Sequence, residues 1–185
     1  MDQQPFSLQE RRSRLVAAVE GLEGLDAVLH QGSGSELAEL MTLTDRVASL
    51  SAAARVSITV EAVNRGEVAE SGTNAHTWVC DHAPSLRQGG AGAVVAVAQV
   101  VATPTSVWRP EGGDLDPDSP QGIVWAGVVC GAVSPSLATA VLREVQRLEP
   151  RLVPEALPTV TRMLVELGTG WGVTTMRRLR PRLLA

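Results

Sequence analysis

Apolar residues recur along this chain with helical spacing and nowhere alternate with period two over a useful length, so the pattern predicts helices and no sheet. Residues 7–10 read Ser-Leu-Gln-Glu, a capping box in which the Ser7 hydroxyl accepts from the Glu10 amide while the Glu10 carboxylate reaches back. Leu8, Leu15, Val19, Leu22 and Leu29 then fall near one face, which predicts a helix to about Leu29. The stretch QGSGS (31–35) breaks it, and a second Ser-to-Glu box (Ser33, Glu36) opens a long pattern through Leu37, Leu40, Val47, Ala54 and Ile58 to Arg65. Two long helices joined by a short Gly/Ser turn predict an antiparallel hairpin.

After a polar connection (66–74), AHTWVCDHAPS (75–85) predicts a short helix closed by Pro84, followed by an apolar helix to about Ala102. Residues 103–121 hold four Pro, two Gly and four acidic residues and read as a surface loop. Ser119-Pro120 and Ser134-Pro135 each put a capping residue before a proline at the first helical position. They predict helices over GIVWAGVVC, ended by Gly131, and over 135–148. A last helix is expected over Leu152–Leu167, with GTGWG (168–172) leading into the C-terminal tail. The expected fold is an all-α multi-helix bundle: a long helical hairpin over 1–66, then shorter packed helices over 67–185, within one structural domain.

Composition and charge narrow the function classes. All 16 basic residues are Arg, and the net charge is −4, which does not suit a protein that coats nucleic acid through neutralised phosphates. The distribution is uneven, however. From Arg162 onward five Arg (162, 177, 178, 180, 182) face one Glu (166), leaving the end basic and the rest acidic. The polar start MDQQPFSLQERRSR does not resemble a secretory signal, and neither apolar stretch, 91–102 or 123–133, reaches the roughly 20 residues of a bilayer-spanning helix. A cytoplasmic, non-membrane location is expected.

The densest chemistry lies in AHTWVCDH (75–82). His76 and Cys80 are four apart and share a helix face, but His82 falls about 120° around from His76, and only His30 and Cys130 remain as further soft ligands. Four-ligand metal binding is therefore not expected. Cys80 sits beside Asp81, the wrong charge to favour a thiolate, so a Cys/His nucleophile is not expected either. The bland alternative is a short amphipathic helix with Trp78 and Val79 in the core. GGAGAVV lacks the Lys-Ser/Thr of a phosphate loop, and EGGDLDPD (111–118) lacks calcium-loop spacing. No cofactor and no enzymatic constellation are expected.

The order of segments S-G-T-N-A-H-T-W-V-C-D-H (71–82), an Ala/Val-rich helix, a Pro-rich break and G-A-V-S-P-S-L-A (131–138) resembles the actinobacterial domain-of-unknown-function family number 222. Trp78, Gly131, Val133, Ser134 and Ala138 carry the resemblance, which spans about Leu37 to Leu184. It implies an all-helical domain often fused to an HNH endonuclease, whose cutting is done by that separate module. His30, His76 and His82 do not assemble an HNH arrangement here.

A helix-turn-helix over 75–102 is disfavoured, because its second helix is apolar all round and has no side chains for base edges or phosphates. Double-stranded DNA contacts are instead expected from Arg177, Arg178, Arg180 and Arg182. The rival reading is a protein-interaction or self-association module, such as a homo-oligomer, that uses apolar helix 89–102 or 123–133 as its contact surface.

Overall fold

The computed structural model describes residues 6–102 and 115–183, the last five of these as backbone only. Eight α-helices are present among the described residues: α1 (Leu8–Leu22), α2 (Gly34–Asn64), α3 (Glu67–Glu70), α4 (Ala75–His82), α5 (Ala91–Val101), α6 (Pro120–Val129), α7 (Pro135–Leu148) and α8 (Leu157–Leu183). Short 3-10 turns link several of them, and the described residues contain no strand. The all-α helical bundle expected from the periodicity is what forms.

The chain divides into two compact units, residues 1–45 and 46–185. The division falls inside α2, whereas the sequence suggested a break after Gly66. The reason is that the C-terminal half of α2 contributes Ala53, Val56, Thr59 and Ala62 to the interior of the second unit.

In the first unit, the Ser7–Glu10 box starts α1: the Ser7 N–H donates to Glu10 Oε2 at 2.7 Å, and the Glu10 N–H donates to Ser7 Oγ at 3.2 Å. Helix α1 stops at Leu22, short of the expected Leu29, and 3-10 turns at Leu25–Ala27 and Leu29–Gln31 follow. Ser33 and Glu36 repeat the box for α2. None of the residues of α1 is buried.

The second unit is built around α7. Pro135, Leu137, Ala138, Val141, Val145 and Leu148 recur at helical spacing and are all buried, which makes one apolar stripe facing α5, α6 and α8. Helix α5 contributes Ala91, Val94, Val95, Val97 and Ala98, and α6 contributes Val124 and Val128. These are the two helices that the rival reading made a contact surface. Most of their apolar residues contribute to the core, while Val100 and Val129 stay exposed.

Helical backbone continues past Leu167 through most of the glycine segment expected to end it and is interrupted at that segment's last residue. Gly168 lies inside the helix against α7, where a Cβ would overlap the Leu137 side chain. The chain bends only at Gly172, whose φ of 79° and ψ of 164° are not helical.

Candidate functional site

Three places in the second unit could bear function, and each is set by local sequence. The first is α4. Asn74 caps it, its Oδ1 accepting from the Thr77 N–H at 2.9 Å. Val79 and Cys80 are buried, and Trp78 is half-buried, packed on the core, rather than wholly enclosed. The Trp78 and His82 rings stack with centroids 4.3 Å apart. His82 Nδ1 lies 2.8 Å from the Trp78 carbonyl, so that nitrogen carries the proton and donates.

The expected pairing of His76 with Cys80 is present, with Nδ1 3.9 Å from Sγ. Nothing joins them: among the described residues, no group of three His, Cys, Asp or Glu side chains could hold a metal ion. Asp81 turns to Arg87 at 2.9 Å, and Cys130 is exposed and away at the end of α6, its Sγ 3.3 Å from the Gly127 carbonyl. A shallow groove of about 100 Å³ runs beside Trp78, lined by Arg55, Ile58, Thr59 and His82. That is below the roughly 300–1,000 Å³ of a small-molecule site.

The second place is a cleft of about 420 Å³ between α5, α6, α7 and the start of α8, with Thr139, Leu142, Arg143, Gln146 and Glu149 along it. Its size suits a small ligand, but it joins no nucleophile to a base, since its polar side chains are two amides, a hydroxyl and two charges.

The third is the basic end. Met176 is fully buried and pins the segment after the Gly172 bend, while Arg177 and Arg178 are exposed. No acidic side chain among the described residues pairs with either. Arg180 and Arg182 belong to the helical backbone of α8, and their side chains lie outside the described residues. Arg162, counted with the basic end in the sequence, is instead ion-paired with Asp118.

One residue without a place in the sequence-based expectations stands beside this end: Trp171 is 73% exposed. The only sequence signal for it was an aromatic set between two glycines, Gly170 and Gly172.

Four of the five residues on which the family resemblance rests have structural roles in one corner, while the fifth, Trp78, lines the groove beside α4. Gly131 ends α6 with φ 77°, Val133 and Ala138 are buried, and Ser134 Oγ caps α7 by accepting from the Leu137 N–H at 3.2 Å. Together they make the α6–α7 corner. The Cys130 carbonyl at that corner accepts from Arg46 Nη1 on α2 at 3.1 Å, satisfying a group that the helix end leaves open.

Among the described residues no helix is long and apolar enough to cross a membrane. Compared with protein-family models, with curated proteins and with solved structures, the chain matches none.

Proposed function

We propose that this chain is a non-catalytic helical module that positions double-stranded DNA for a nuclease partner. The observation that carries this reading is the exposed Arg177–Arg178 pair, unopposed by acid among the described residues and held on a helix whose Met176 is anchored in the core. Guanidinium groups fixed on a rigid element suit phosphate contacts, which position a protein without reading sequence. Trp171 adds an exposed aromatic close by in the chain, a group able to stack on a base or wedge between steps. The resemblance to family 222 supplies the nuclease partner and assigns the cutting to that partner. The interaction reading has less apolar surface to use on 89–102 and 123–133, where Val94, Val95, Val97, Ala98, Val124 and Val128 are buried and Val100 and Val129 remain exposed.

The test is binding of a labelled duplex across a salt series, by the intact chain and by the variant Arg177→Ala/Arg178→Ala/Arg180→Ala/Arg182→Ala. Removing one guanidinium from a phosphate should reduce the slope of log K against log salt by about 1. A slope unchanged in the variant, or no binding at about 50 mM salt, would overturn the reading.

A further inference from the structure

We infer that α1 is a self-association element, pairing antiparallel with α1 of a second copy of this chain. The first unit exposes an unusual share of the apolar surface. Of the 19 large hydrophobic residues exposed among the described residues, 11 lie between Phe6 and Leu43. Their combined exposed area is on the order of the ~800 Å² that a standard interface removes from each partner.

Within α1 the residues are in register for a partner helix. Leu8, Leu15, Val19 and Leu22 are 86, 61, 55 and 43% exposed, and at 100° per residue they fall within a seam about 60° wide. That is the narrow stripe of a two-helix contact rather than the broad face of a helix docked on a core.

Charge selects the occupant and its direction. The first half of α1, residues 8–15, holds Arg11, Arg12 and Arg14 against Glu10; the second half, 16–23, holds Glu20 and Glu23 and no base. A helix by itself prefers the reverse, acids toward its N-terminus and bases toward its C-terminus. The arrangement therefore costs the isolated helix, in part offset where Arg11 Nε donates to the Phe6 carbonyl and Arg14 lies over the Phe6 ring, and it leaves room for another source of benefit. A second copy running antiparallel provides it: with Leu15 facing Leu15, the Arg11–Arg12 end of each copy lies, along the axis, within about a turn of Glu20 and Glu23 of the other, with Arg12 and Glu23 flanking the same edge of the seam and Glu20 farther round the helix. Parallel pairing would set Arg against Arg. The two-fold symmetry makes the contact self-complementary, as closed dimers require.

The experiment is sedimentation equilibrium of the intact chain from about 1 to 200 µM, spanning the affinities of weak, transient interfaces. A monomer–dimer equilibrium is expected. Leu15→Glu, which places two carboxylates together at the dyad, should weaken it at least tenfold. Arg11→Glu/Arg12→Glu should weaken it by a similar factor, and mixing that variant with Glu20→Arg/Glu23→Arg should restore association. All of these positions are exposed in the monomer, so an unchanged melting temperature at low concentration certifies that each variant is folded. Raising salt from about 50 to 500 mM should loosen the antiparallel pair, whose charges attract. A chain that stays monomeric throughout, or a dimer indifferent to Leu15→Glu, overturns the inference. A dimer that tightens with salt and ignores the charge reversals overturns the antiparallel orientation. Neither result bears on DNA binding at Arg177 and Arg178.

Discussion

Replacing Gly127 by Ala sets two effects of similar size against each other. Gly127 lies inside α6, where Ala is favoured over Gly by about 1 kcal/mol. A methyl group there would stand 2.6 Å from Val133 Cγ2 and 3.4 Å from Val133 Cβ, the first about 1 Å closer than carbon atoms pack. Val133 has little room to yield. It is 2% exposed, its N–H donates to the Gly127 carbonyl at 3.0 Å, and its branched side chain is confined in χ1. Overpacking of this kind costs about 1–3 kcal/mol. Gly127→Ala should therefore destabilise by a net ~1 kcal/mol, although it introduces the better helix former.

Repeating the change in a Val133→Ala background separates the two effects. Val133→Ala alone should cost about 2 kcal/mol, from reduced burial and the cavity it leaves. With Cγ2 gone, the new methyl of residue 127 meets only a Cβ at close to ordinary contact distance, and the helix preference acts unopposed. Gly127→Ala should then stabilise by about 1 kcal/mol, so its sign inverts, with a coupling of about 2 kcal/mol. Urea unfolding of the four proteins, followed by far-UV circular dichroism with m-values compared, measures this. If Gly127→Ala stabilises both backgrounds equally, the chain does not close tightly at this corner and Val133 does not oppose the methyl.

The other outcomes concern α4 and the two helix starts. Trp78→Ala should cost about 2–3 kcal/mol, less than a fully enclosed Trp, since the ring is half-buried and stacked on His82; an unshifted urea midpoint would take Trp78 out of the core. Hydrogen bonds from Ser7 and Ser33 hold the Glu10 and Glu36 carboxyls below their ordinary value of 4.5. In the unfolded chain both titrate near that value, so the support they give α1 and α2 is complete above it and lost as pH falls through the lowered native values. Helical signal should fall on acidification, and Ser7→Ala/Ser33→Ala should flatten that loss; an identical acid curve in the variant would refute the assignment.

What the sequence made legible is what is decided within three or four residues. Ser7, Ser33, Ser119 and Ser134 all stand where their spacing to the next amide requires, because a cap satisfies its own helix and needs nothing distant. The same locality made the His76–Cys80 approach foreseeable. The end of α8 was not legible. Gly168 and Gly170 look like a stop, but glycine inside a helix costs only about 1 kcal/mol, and at 168 the missing side chain makes room for Leu137. Nor could the pattern tell that α7 would bury its stripe while α1 would not, since both carry apolar rows at helical spacing and only tertiary packing separates them.

Four of the residues on which the family resemblance rests bear on architecture rather than on chemistry. Gly131, Val133, Ser134 and Ala138 make a helix stop, a buried plug, a cap and a close contact. Each role serves to turn the chain from α6 into α7. A motif built of such residues carries architecture with it, and architecture alone does not fix what a domain does. The two proposed functions rest instead on what the corner leaves outside: an apolar seam on α1 with its charges reversed against the helix dipole, and two exposed arginines after a buried Met176. The first is proposed to meet a second copy of this chain and the second the phosphates of a duplex. The two can act together, since a dimer joined through α1 would carry two basic ends, and two weak phosphate-binding surfaces on one particle bind a duplex far more tightly than either alone when both can reach it.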